Sequence, residues 1–158
     1  MMLKSKVTTI CALLTALMLA SCGQPPQLRV DNAKIVLNPV DSGPSALYFT
    51  VHGGASEVKL FSATSDSVIR SEMHESGQDP KTGMMSMEPV TKVKIPAKSK
   101  VEFKQGGKHV MMWGVNLKAR RTGEAEIQFL FSNGDRILVD AVVEEMDGTV
   151  PDERKAVI

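Results

Sequence analysis

The sequence predicts an all-β domain, a sandwich or barrel of short strands. Three observations carry that prediction. Apolar residues alternate with polar ones at a period of two, as on half-buried strands. Gly, Pro, Asn and Asp break the chain every few residues, as turns require. No segment holds a helical period over about ten residues, so a helical or α/β architecture has nothing to build on. In chain order the candidate strands are Leu28–Leu37, Ala46–Val51, Val58–Ser65, Val68–His74, Met84–Met87, Lys92–Ile95, Lys100–Phe103, His109–Leu117, Ala125–Phe131 and Arg136–Glu144. The last two are the clearest. Ala125, Ile127, Phe129 and Phe131 alternate with Glu124, Glu126 and Gln128, and Ile137, Val139, Ala141 and Val143 alternate with Arg136, Asp140 and Glu144. Between them lies Ser132-Asn133-Gly134-Asp135. Asn-Gly tolerates φ > 0 at both central turn positions and is the strongest short hairpin signal.

Composition narrows the function classes. The chain has 158 residues, of which 42% are apolar and 23% charged, the range of a globular domain with a core of its own. Aromatics amount to 4%, too few for a base-stacking surface, and the net charge is +1, so no polycationic field draws it to nucleic acid. There is no P-loop, dinucleotide fingerprint or internal repeat. No Ser/His/Asp arrangement or paired carboxylates point to an enzyme.

The first residues read as an address. Lys4 and Lys6 precede an apolar run from Val7 to Ala20, of signal-peptide length and short for a membrane span. It ends in Leu19-Ala20-Ser21-Cys22, which resembles the lipobox of bacterial lipoproteins. The resemblance implies that residues 1–21 are a signal peptide and that Cys22 is lipidated, anchoring the protein to a membrane on the periplasmic side of the envelope. Gly23 follows the cysteine in place of the aspartate that retains many lipoproteins at the inner membrane, which leans toward the outer membrane. Residues 22–27, with Pro25-Pro26, form a tether, 28–146 the folded domain, and 147–158 a polar, flexible tail. Cys11 leaves with the signal and Cys22 is taken by lipid, so the domain has no thiol and no disulfide.

Methionine is the oddity. The chain has ten, against one Trp, one Tyr and three His. Met73, Met84, Met85, Met87, Met111 and Met112 fall in one window together with His74 and His109. A strand normally carries Val or Ile at such positions. His109 and Met111 are i and i+2, which on a strand puts both side chains on one face. Twenty-one residues separate Met87 from His109, enough for the chain to return on a neighbouring strand. Two imidazoles and two thioethers form a soft, neutral donor set that favours Cu(I) over Zn(II), Mg(II) or Ca(II). Thioethers cannot form disulfides, which makes a Met/His site suited to an oxidising compartment.

The stretch from His74 through Met85-Ser86-Met87-Glu88-Pro89-Val90 to Gly106-Gly107-Lys108-His109-Val110-Met111-Met112-Trp113-Gly114 resembles the periplasmic copper chaperones called PCuAC. Their motif is a His, a Met after about ten residues, then 21 residues and His-x-Met. Leu28-Arg29-Val30 and Ile95-Pro96-Ala97 match the flanks, so the resemblance spans roughly 27–145. It implies a cupredoxin-like Greek-key β-fold and a metallochaperone that binds Cu(I) and delivers it to the dinuclear copper centre of cytochrome c oxidase, whose copper-bearing subunit, or another copper-transfer protein, would be the partner. The implied ligands are His74, Met87, His109 and Met111. Twelve residues separate His74 from Met87 where the motif has ten. Met85 restores the ten but breaks the 21, so it is an auxiliary candidate, and the extra two residues fall to the loop Gln78–Gly83. The methionine- and histidine-rich C-terminal tail of some relatives is missing.

Bland roles exist for the same residue types. A methionine stripe is often core filler. Met112 alternates away from Met111 and reads as core, and Trp113, which on a regular strand shares the face of His109 and Met111 and could cover a copper with its ring, reads rather as a core residue of a buried strand. His52, before Gly53-Gly54, reads as a solvated turn residue, and Lys118-Ala119-Arg120-Arg121 as a solvated loop. Two other functions share the sequence: copper buffering or tolerance at the envelope, and a structural β-sandwich lipoprotein without metal. Blue-copper electron transfer is excluded by the missing thiolate.

Overall fold

The structure is a computed structural model, and it describes residues 25–40, 42–78 and 81–150. The signal peptide, Cys22 and residues 151–158 of the tail lie outside them. Among the described residues ten strands form: β1 (Arg29–Val36), β2 (Ser45–His52), β3 (Val58–Thr64), β4 (Arg70–Gln78), β5 (Met85–Pro89), β6 (Val93–Ile95), β7 (Lys100–Phe103), β8 (Lys108–Trp113), β9 (Glu124–Phe131) and β10 (Arg136–Glu144). They hydrogen-bond in the order β5-β4-β8-β2-β1-β10-β9-β3-β6, with β7 joining β2 beyond the end of β8. All pairings are antiparallel except β1 with β10. Among the described residues no helix is long and apolar enough to cross a membrane.

The long sheet folds over one core, as the alternation along each strand requires. Ile35, Leu47, Val51, Leu60, Ile95, Val110, Met112, Ile127 and Val143 are wholly or almost wholly buried. Phe49 of β2 stacks on Phe103 of β7 at 4.1 Å and meets Phe129 of β9, which is not its sheet neighbour, at 4.7 Å. That second contact joins the two layers. Met73 and Met112 belong to this core. The fold is thus an all-β sandwich of the expected class, with Ser132–Asp135 turning β9 into β10.

Three local expectations change. β8 ends at Trp113, and Leu117–Thr122 forms a short helix, α1, where the basic cluster suggested a loop. Asn116 caps it, its side chain accepting from the Ala119 N–H at 2.9 Å, and Gly123 closes it at φ 73°, donating to the Ala119 carbonyl. The segment after His74, expected as loop, continues as strand to Gln78 and pairs with β5. His52 ends β2, and its ring contacts Asp31 and Arg29, tying β2 to the start of β1.

Candidate metal centre

The three strands β8, β4 and β5 carry the candidate metal-ligating side chains. In an antiparallel pair, directly opposed residues share a face. His74 on β4 opposes His109 on β8, and Glu72 opposes Met111. On the other side of β4, Pro89 opposes His74, Ser76 opposes Met87, and Gln78 opposes Met85. His74, His109, Met111, Met87 and Met85 therefore all share one sheet face. The opposite face carries Met73 and Val110 into the core, which fixes this orientation because a one-residue slip would bury the histidines' face.

The two imidazoles are the best-defined part. Their ring centroids are 6.0 Å apart with planes 27° from parallel. A metal bound at about 2 Å from one nitrogen of each ring fits that span. His109 is 7% exposed, and its Nδ1 lies 3.0 Å from the Gly107 carbonyl. A carbonyl can only accept, so this contact puts the proton on Nδ1 and leaves the Nε2 lone pair for a metal. His74 is arranged the other way. Its Nε2 faces Glu72 at 3.5 Å, while its Nδ1 is buried and makes no hydrogen bond to any described residue. An orphaned buried ring nitrogen costs free energy unless a donor or a metal meets it. Among the described residues no three His, Cys, Asp or Glu side chains group as a metal site. The side chains that share this face with the imidazoles are the thioethers of Met111, Met87 and Met85 and the carboxylate of Glu72.

The sheet brings His74, His109 and Met111 together as immediate neighbours: one directly opposed pair and one diagonal. Met87 is different. It is diagonal to His74 on the far side, toward the hairpin tip, and half exposed. On a flat sheet its Cα would stand roughly 16 Å from that of Met111, too far for two thioethers to share one ion. Twist, which is larger in two-stranded ribbons, is what can curl this arm over the face. Met85 is one pleat further out, opposite Gln78. The register thus sets Met87 nearer to His74 than Met85.

Sequence reasoning missed Glu72 and Arg70. Glu72 stands between His74 and Arg70, whose guanidinium is 3.5 Å from the carboxylate and 4.0 Å from the Trp113 ring centroid. Period-two alternation back from His74 would have found both. Trp113 is not in the core: it shares the face of His109 and Met111 and is half-buried beneath Arg70.

Residues 28–143 match one protein family, described as "Putative lipoprotein LpqE-like". The chain belongs to the LpqE-like family. No curated protein sequence is similar to it. Solved structures similar to this LpqE-like chain include the copper-bound PCuAC domain from PmoF2, 16% identical with a TM-score of 0.59, over 78% of this chain and 99% of that one. The apo PCuAC domain from PmoF1 is 15% identical with a TM-score of 0.60, over 78% and 98%. CuI-DR1885 from Deinococcus radiodurans, a solution structure, is 21% identical with a TM-score of 0.55, over 78% and 80%. The LpqE-like chain therefore has the fold of PCuAC domains, the cupredoxin-like sandwich that the motif resemblance implied.

Proposed function

We propose that this protein is an extracytoplasmic copper metallochaperone. It binds Cu(I) through His74, His109 and Met111, with Met87 closing the site from the β4–β5 hairpin. The observation that carries this reading is the facing pair His74–His109, with one ring nitrogen buried and unpartnered and a thioether on the adjacent diagonal. Neutral imidazole and thioether suit a soft monovalent cation, leave it little Lewis acidity, and suit a carrier better than a catalyst. The copper-bound relatives of the same fold support the cargo. The lipobox-like Leu19–Cys22 and the lipoprotein description of the family support a chain anchored through Cys22 at the envelope, facing the periplasm and favouring the outer membrane. Delivery to the dinuclear copper centre of cytochrome c oxidase follows from the motif resemblance.

The test is an anaerobic Cu(I) titration of the full chain against a colorimetric chelator, beside Met111→Leu. The substitution keeps volume and apolarity and should cost less than about 1.5 kcal/mol of fold stability. The reading expects one tightly held Cu(I) in the parent and a large loss of affinity in Met111→Leu. Equal affinity in both would remove Met111 from the site.

A further inference from the structure

The β4–β5 hairpin projects beyond the sandwich. At Met73 the back of β4 is core, but two residues on Glu75 is exposed and pairs with Lys108 at 2.6 Å. Every residue of β5 is exposed. On this arm Met85 and Met87 are 67% and 52% exposed, so neither is there to pack. Edge strands are normally guarded by charge, which makes two thioethers on one unusual. Both lie on the face of His74, one pleat repeat of about 6.8 Å apart, and their strand partners on that face, Ser76 and Gln78, are uncharged. Methionine has three rotatable bonds beyond its Cα, enough for two sulfurs at this spacing to meet a single ion.

We infer that Met85 and Met87 form a second, weaker Cu(I) site, through which copper enters and leaves the His74–His109–Met111 centre. The inference rests on the proposed copper-carrying function. Cu(I) is held first between Met85 and Met87. Met87 keeps hold of it while the imidazoles and Met111 replace Met85, and release runs in reverse. Copper stays Cu(I) throughout. Three neutral donors replace one, so the copper goes from two ligands to four, and no electron or proton is transferred.

The experiment is stopped-flow transfer of Cu(I) from the loaded full chain to bathocuproine disulfonate under anaerobic conditions, in the parent and in Met85→Leu. Met85 is exposed, so its replacement leaves the core intact. Met85→Leu should keep the equilibrium affinity of the tight site and slow transfer about tenfold. Transfer at the parent's rate would overturn the inference. So would a matching loss of equilibrium affinity, because Met85 would then be a ligand of the main centre. A parent that holds no Cu(I) would overturn the proposed function, and the equilibrium titration would reveal that before any rate is measured.

Discussion

The proposed copper face has two halves built on different principles. On β8 and the start of β4, His109, His74 and Met111 stand over a packed core, with Val110, Met112 and Met73 holding the strands from behind. On the hairpin arm, Met87 and Met85 have no core behind them and face solvent. The first half is pre-organised, and its ring nitrogens are set by Gly107 and Glu72. The second is mobile in the sense that few buried contacts restrain it. A carrier needs both: fixed donors give affinity, and an exposed, adaptable donor lets a partner reach the metal.

The largest expected effect breaks the rigid half. His109→Ala should lower Cu(I) affinity by about 100-fold or more, above the usual cost of losing a partner behind a ligand. Chelator competition measures it, with circular dichroism to confirm the fold. Next, Met111→Leu should cost more affinity than Met87→Leu, because only Met111 sits on the supported strand. The reverse order would mean that the arm dominates binding and the comparison is drawn the wrong way round. The smallest effect lies away from both halves. Asn116→Ala removes the α1 cap and should cost about 1 kcal/mol of stability, read as a lower Tm, with no change in copper affinity.

Much of this was legible in the sequence, where a core makes it so. Burial alternates along β9 and β10 because one face is covered by the core, and the apolar residues of that face mark out both strands, although Leu138 and Val142 of β10 are apolar and exposed. The extension of β4 to Gln78 was not legible, because a hairpin exposed on both faces has no reason to alternate. Helix α1 has six residues, too few for a hydrophobic period, and only Asn116 and Gly123 announce it. His-x-Met was readable as a shared face from strand geometry alone. That His74 directly opposes His109 depends on pairing register, which only the assembled sheet supplies. Strand alternation put Trp113 on the face of His109 and Met111, but its core role was misread, because an aromatic on a buried-looking strand ordinarily packs inward, whereas here it lies under Arg70.

Copper K-edge X-ray absorption of the Cu(I)-loaded full chain, in the parent and in Met87→Leu, tests the division into halves most directly. The parent should show nitrogen and sulfur donors in equal number. Met87→Leu should lose sulfur alone, keeping both nitrogens and the Met111 sulfur at unchanged distances. A parent spectrum with sulfur donors only would contradict the account, because His74 and His109 would then lie outside the centre that the sheet builds around them.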